Sequence, residues 1–359
     1  VRGRTMTPGP RVAVVGATGA VGAVMLSVMS ERDFPFREIV AFASERSAGS
    51  TIEGVGEVRP LRDDTITGFD LALFSAGGGA SREWAPRFAA AGAIVVDNSS
   101  AWRMDPLVPL VVSEVNPHAL DSIPHGIVAN PNCTTMTIML PLKALHDAFG
   151  LVAVVATSFQ AAGGAGRKGI DELAAQVPRL HASRELLITD GATAIAEIEH
   201  SVHAAPLAYN VVPWLGAQAD GGYSDEEMKL VNESRKILEL PGLRVSPTCV
   251  RVPVMVGHAV ELRATFEREP DLDGAATALV SFPNVVLDPL PTPAHYAGRD
   301  EVAVGRLRRD LDDPFSLNLF VVGDNLRKGA ALNAVQIAEL LNERGLLGGR
   351  AAAASVPLR

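Results

Sequence analysis

The sequence predicts an α/β fold: a mostly parallel, doubly wound sheet in the first part of the chain, followed by a second part of different style. Three observations carry this expectation. Short β-branched runs alternate with helical stretches as far as Ala129. The first of these runs leads straight into a glycine turn and a helix. Beyond Cys133 the pattern changes to a helix, long strands and glycine-rich or charged segments.

Composition narrows the classes. The chain has 359 residues and is 47% hydrophobic with a mean hydropathy of +0.19, as an ordinary globular protein of about two domains would be. A net charge of −9 argues against a nucleic-acid partner. No apolar run approaches the ~18–20 residues of a membrane span. The two cysteines, Cys133 and Cys249, make no disulfide framework, which fits a reducing, cytoplasmic setting. Residues 1–10 read as a loose tail rather than a signal peptide, and the Ala-rich residues 348–359 read as a second loose tail.

Arg11 to Val15 is the first strand, Gly16-Ala-Thr-Gly19-Ala-Val-Gly22 the turn and Ala23 to Ser30 the helix. Glycines there let the backbone approach a pyrophosphate, and the helix N-terminus supplies donors and a favourable dipole. This is the Rossmann-type signature in G-x-x-G-x-x-G spacing; the plainer alternative is an ordinary strand-to-helix turn. Glu38 to Ala43 is the second strand. It runs into Ser44-Glu-Arg46-Ser47-Ala-Gly49, where Arg46 and the serines suit a 2′-phosphate and hence NADP, with Glu45 facing away. Otherwise this is a polar surface loop. Further strands are expected at 70–76, 93–96 and 108–112, and a helix at 82–91. Ser75 to Gly79 and Asp97 to Ser100 lie at strand C-terminal ends, where such sheets bind ligands. Arg103 follows as a candidate anion contact.

Asn130-Pro-Asn132-Cys133-Thr-Thr-Met136 places a cysteine after an apolar strand (126–129) and before a helix (134–149, interrupted by Pro141). A helix N-terminus favours thiolate, so Cys133 is a candidate nucleophile; the alternative is a small buried residue. Residues 151–159 form a strand ending in Gln160. Residues 161–166 read as a flexible glycine loop able to close on a ligand, and 169–176 begin a helix. Residues 185–199 are of mixed helical character and 226–240 form a charged helix. Residues 245–264 are strand-like. There Arg251 and His258 are seven residues apart and would face opposite ways in one straight strand, so a bulge or turn at Pro253 or Gly257 is needed to bring them together. A buried Arg251 calls for an anion, while His258 is a candidate acid/base or a structural histidine. A strand at 318–322 and an amphipathic helix at 330–344 close the chain.

A dinucleotide turn, an activated cysteine and a histidine together suggest an oxidoreductase acting on an aldehyde or acyl phosphate through a thioester. The motifs 16–22, 44–49, 130–135, 158–166, 226–229, 251–258 and 324–330, in order over nearly the whole chain, resemble aspartate-semialdehyde dehydrogenase. The resemblance implies a Rossmann-type nucleotide-binding domain (1–132, with a C-terminal helix 326–359 packing back on it) plus an α+β catalytic and dimerisation domain (133–325). It implies NADP as cofactor, no metal, and a homodimer. It gives Cys133 as nucleophile and His258 as general acid/base. Gln160, Glu226 and Arg251 would bind the substrate, aspartyl β-phosphate or aspartate semialdehyde. Arg103, Asn132 and Lys229 would bind phosphate. Gly16, Thr18, Gly19, Ala20, Val21, Arg46, Ser47, Gly163, Gly164 and Asn325 would contact NADP. Two departures stand out: Gly163 replaces a usual serine, and Trp214 sits where a more polar residue is expected. Other readings are an N-acetyl-γ-glutamyl-phosphate reductase-like enzyme, a non-catalytic NADP-binding sensor and a structural dimer-forming protein. Lys229 and Glu226 would otherwise be a solvated surface pair.

Overall fold

A computed structural model describes residues 9–348. The two expected tails lie outside the described residues except for Gly9, Pro10 and Gly348. The chain divides into two compact units, Val1–Asn132 with Ala330–Arg359, and Cys133–Gly329.

The first unit is built on a six-stranded sheet. Its strands are β1 (Arg11–Val15), β2 (Glu38–Ala43), β5 (Arg59–Pro60), β6 (Leu71–Phe74), β7 (Ile94–Asp97) and β8 (Ile127–Ala129), in the order β5-β2-β1-β6-β7-β8. All pairs are parallel, and the order reverses direction beside β1, as a doubly wound sheet requires. A small hairpin, β3 (Thr51–Ile52) and β4 (Gly56–Glu57), follows β2. Val12, Val14, Ala41, Leu71 and Leu73 pack with Met25, Val28 and Met29 of α1 (Ala20–Glu31) and with the C-terminal helix Leu332–Glu343. On the alternate positions Phe42 and Phe74 meet Phe88 of α2 (Gly77–Ala90) edge-on.

Two expectations fail here. The glycines at 77–79 lie in the first turn of α2 rather than in a loop before it. Residues 108–112 form no strand: only an isolated bridge, Leu110 with Ala129, remains. The cause is local. The Asn116 side chain takes the Leu110 carbonyl and the Val112 amide, groups a ladder would otherwise use, and Pro109 has no amide to give.

The second unit carries a mixed six-stranded sheet. Its strands are β9 (Leu151–Gln160), β10 (Arg244–Arg251), β11 (His258–Phe266), β12 (Val285–Leu287), β13 (Val302–Arg309) and β14 (Ser316–Gly323), in the order β10-β9-β11-β14-β13-β12. β10 runs parallel to β9 on the sheet edge, which is where its internal Pro247 is tolerated. β11 is antiparallel to β9 and β14. Helix α3 (Cys133–Phe149) packs on this sheet and runs unbroken through Pro141, with most of its side chains buried. Gly150 ends it with φ +77°, donating to the His146 carbonyl.

The expected glycine loop at 161–166 is instead a 3₁₀ turn (Ala162–Ala165) leading directly into α4 (Gly166–Ala182). Short helices α5 (Arg184–Thr189) and α6 (Gly191–Ile195) follow. Helix α7 (Asp225–Ile237) begins with a capping box, in which Ser224 and Glu227 satisfy each other's backbone amides. Helices α8 (Leu272–Ser281) and α9 (Pro293–Tyr296), with β12 and β13, fill a stretch the sequence left unassigned. The C-terminal helix is preceded by a π-helical turn, Arg327–Ala331. No described helix is long and apolar enough to cross a membrane.

Candidate active site

Cys133 is the first residue of α3, so its sulfur stands where helix amides are open and the dipole is positive. Its Sγ lies 3.2 Å from Nε2 of His258. Arg251 and His258, which parity in one strand would set apart, come from two strands. Arg251 ends β10 and His258 begins β11; both flank β9, and the connecting turn includes Gly257 at φ +97°.

The peptide of Ala161, just past β9, holds both side chains. Its N–H donates to His258 Nδ1 at 3.0 Å, and its carbonyl accepts from Arg251 Nη1 at 2.7 Å. Burial, then the Arg251 charge, pushes the His258 pKa down to about 3. Burial also lowers Arg251, opposed by Cys133 and Glu226. Gln160, in register with Arg251, is 1% exposed and donates through Nε2 to Ser158 Oγ at 3.2 Å.

Glu226 lies in the first turn of α7, a helix that packs on β10. Lys229 Nζ donates to its carboxylate at 3.0 Å and is 3.3 Å from Asp225. With Glu226 and Lys229 side chains only 12% and 25% exposed, this is not a solvated surface pair. Burial works against the Lys229 charge, but Glu226 and Asp225 hold its pKa above the usual lysine value. Gly164 is close by: a Cβ there would lie 2.7 Å from Arg251 Nη1 and 3.2 Å from His258 Cε1. The second unit thus brings together Cys133, Gln160, Gly164, Glu226, Arg251 and His258, with Lys229 on Glu226.

Gly163 and Asn325 form a neighbouring corner. A Cβ on Gly163 would lie 2.8 Å from the Met255 carbonyl, so glycine fits the backbone as it runs here. Asn325 Oδ1 accepts from Gly257 N–H at 2.8 Å, while its buried Nδ2 has no partner. A buried donor without an acceptor in the protein can serve an acceptor from outside the chain.

In the first unit, Gly16 has φ +85°, and a Cβ on it would collide with the Ser75 carbonyl. A Cβ on Gly22 would collide with the Gly16 carbonyl. Gly19 is the N-cap of α1 and supplies no side-chain cap, which leaves Ala20, Val21 and the exposed Thr18 and Gly19 at an open helix N-terminus. This cradle fits a pyrophosphate. Arg46 is exposed and Ser47 half-buried in the turn after β2, while Glu45 faces Arg62 at 3.6 Å. Arg103, expected as an anion contact, is buried. Its Nε donates to the Asn130 carbonyl at 2.9 Å and Nη2 to the Asn98 carbonyl at 2.7 Å, which holds the segment leading to Asn132. Asn132 is buried.

Residues 11–123 match the family described as semialdehyde dehydrogenase, NAD binding domain, and 142–328 match semialdehyde dehydrogenase, dimerisation domain. Aspartate-semialdehyde dehydrogenase of Streptomyces akiyoshiensis is 52% identical over 92% of this chain and 98% of its own. The chain belongs to the aspartate-semialdehyde dehydrogenase family. It is therefore an oxidoreductase of amino-acid biosynthesis with a nicotinamide-dinucleotide domain. Among solved structures, aspartate semialdehyde dehydrogenase II of Vibrio cholerae, complexed with ASA, superposes with a TM-score of 0.88 at 41% identity, covering 94% of this chain and 99% of that one. The aspartate semialdehyde dehydrogenase of Candida albicans, with NADP, gives 0.70 at 25% identity over 94% and 100%. The family fold thus accounts for the parallel sheet of the first unit and the mixed sheet of the second. Two contributors had no side-chain signal to find: Ala161, which acts through its peptide, and Ser158, an ordinary serine in a strand.

Proposed function

We propose that this chain carries out the NADP-dependent reductive dephosphorylation of aspartyl β-phosphate to aspartate semialdehyde through a thioester on Cys133, in lysine, methionine and threonine biosynthesis. The observation that supports it most is the Cys133 sulfur, at a helix head and 3.2 Å from His258 Nε2, in a cluster that also holds a half-buried arginine and a half-buried carboxylate.

Cys133 attacks the acyl carbon and displaces phosphate, which splits one hard transfer into two easier ones. Arg251, its guanidinium already fixed by Ala161, takes the substrate α-carboxylate in its planar fork. Glu226 takes the α-ammonium and Lys229 the phosphate, together with Arg103 and Asn132. Glu226 and Lys229 neutralise each other at 3.0 Å, so a substrate with both an ammonium and a phosphate exchanges one ion pair for two. Gln160 orients the reacting group. NADP fits the glycine cradle at 16–21, Arg46 and Ser47, and the Gly163, Gly164 and Asn325 corner. When bound, it supplies the hydride that reduces the thioester.

The working division is an NADP-binding domain (1–132, joined by 326–359) and a catalytic and dimerisation domain (133–325) of a cytoplasmic homodimer. The test is reduction of NADP by the purified protein with aspartate semialdehyde and phosphate. Phosphate-dependent turnover is expected, and its loss in Cys133→Ala. Turnover that survives in Cys133→Ala would end the thioester reading.

A further inference from the structure

One short turn stands behind both members of the Cys133 and His258 pair. It runs from Asp324 to Gly329 and is closed by the Gly329 N–H, which donates to the Asp324 carbonyl at 2.9 Å. At one end Gly329 lies against the nucleophile: a Cβ there would stand 3.2 Å from Cys133 Cβ and 3.5 Å from its Cα. At the other end the Asn325 side chain reaches the backbone just before the histidine. Its Oδ1 accepts from the Gly257 N–H at 2.8 Å. A peptide N–H can only donate, so the oxygen end of this amide is fixed on Gly257. Gly257 is also hemmed in from behind: at φ +97°, a Cβ on it would lie 2.9 Å from the Pro293 carbonyl oxygen.

The turn is itself held by a carboxylate. Asp324 is 3% exposed, and both of its side-chain oxygens are in use. Oδ1 accepts from the Leu326 and Arg327 amides at 2.7 and 2.9 Å, and Oδ2 accepts from the Gly298 N–H at 2.6 Å. Amide bonds to a carboxylate are among the stronger ones. Arg327 adds an ion pair to Asp300 at 2.6 Å, so the turn is tied twice to the segment just after α9. We propose that Asp324 is a positioning residue for the reaction: through the 324–329 turn it sets the Cys133 sulfur against the His258 ring. The proposal rests on the thioester reading, in which that pair does the chemistry, and adds a residue that acts only through its neighbours. Such a support matters because a misplacement of about 1 Å in reacting groups can cost about 10²-fold in rate.

Alkylation of Cys133 by iodoacetamide, followed in the full chain at about pH 7.5 without substrate or NADP, reads the pair directly, because its surroundings set how reactive the sulfur is. Cys133→Ala, which keeps only the buried Cys249, is the blank. Asp324→Ala is expected to be alkylated on the order of tenfold more slowly and to lose kcat by a similar factor, with KM for aspartate semialdehyde little changed. Asp324→Asn keeps an acceptor for Leu326 and Arg327 but turns an NH₂ toward Gly298, and should fall between the two. Gly329→Ala presses on Cys133 from the other end of the turn and should slow alkylation with Asp324 intact. Asp310→Asn is the stability control. Asp310 bonds to Ser316 at the opposite end of β14, and to Arg263 and Asn318, so its loss should lower Tm and leave the alkylation rate alone. Wild-type alkylation in Asp324→Ala or in Gly329→Ala, or equal slowing in Asp310→Asn, overturns the proposal. If Asp324→Ala fails to fold, Asp324→Asn carries the test, and wild-type alkylation there overturns it. Turnover surviving in Cys133→Ala would instead remove the thioester reading, while the alkylation rates still decide what the turn does.

Discussion

Gln160 and Arg251 share the last rung of the parallel β9–β10 ladder, and two rungs back, on the same face, stand Ser158 and Cys249. The rear pair is an anchor for the front pair. Ser158 Oγ accepts from Gln160 Nε2. Burial pushes the Cys249 thiol up to about 12, so it stays un-ionised beside Ser158 and Gln160. The Gln160 amide is thus held by its nitrogen.

Ser158→Ala should release that amide. Loss of one hydrogen bond of about 1 kcal/mol predicts a fall in kcat/KM of roughly five- to tenfold. Ser158→Thr, which keeps the hydroxyl, should recover most of it. In a Gln160→Ala background the Ser158→Ala change should cost little more, because the two act as a unit. Full additivity in steady-state assays would show that Ser158 matters only for folding.

Gly164 borders Arg251 and His258 so closely that an added methyl would press on both side chains. Its Cβ would stand 2.7 Å from Arg251 Nη1 and 3.2 Å from His258 Cε1. The arginine end can yield; the histidine, held at both nitrogens, cannot. Gly164→Ala is therefore expected to raise KM for aspartate semialdehyde by on the order of tenfold or more, since displacing the guanidinium weakens a charge-assisted pair. The melting temperature should barely move. An unchanged KM would mean that Arg251 does not hold the carboxylate.

His258 also predicts how stability varies with pH. Its folded pKa, about 3, lies below its ordinary value of 6.5. Below pH 6.5 the unfolded chain therefore takes up a proton that the folded chain refuses. Stability contributed by the neutral ring is complete above pH 6.5 and falls steadily as pH drops toward 3. At pH 5 the loss is on the order of 2 kcal/mol. Urea unfolding of the wild type and His258→Gln at pH 7.5 and pH 5 measures it: the wild type should lose more stability on acidification than the variant. Parallel losses would show that the ring is not kept neutral by the fold.

What the sequence revealed was what local chemistry writes into neighbouring residues. The glycine turn, the strand before Cys133 and the helix after it are each specified within a few positions. The meeting of Arg251 and His258 was harder to read, because spacing along a chain says nothing of sheet order. They meet because β9 lies between their strands. The apolar run at 108–112 misled for the opposite reason. It has strand-like residues, but Asn116 claims the backbone groups that pairing would need. The composition of the glycine segment at 161–166 suggests a loop, yet Gly163 N–H and Ala162 N–H bond to the Met255 and Val254 carbonyls and fold it into a turn. Such partners lie about ninety residues away and leave no local mark.

The three glycines of the first turn divide into two kinds. Gly16 and Gly22 are required by the protein itself, since side chains on them would strike the Ser75 and Gly16 carbonyls. Gly19 is exposed, has an ordinary φ of −78°, and a Cβ on it would meet only the Gly16 carbonyl at 3.3 Å. Its lack of a side chain matters for what approaches from outside. Gly19→Ala should therefore fold, with a melting temperature near that of the wild type, and bind NADPH on the order of tenfold more weakly, because a methyl would hold the pyrophosphate off the helix N-terminus. Gly22→Ala should lose both stability and binding. Fluorescence titration with NADPH beside thermal unfolding separates the two cases. If Gly19→Ala bound NADPH as tightly as the wild type, the dinucleotide would not seat on this turn.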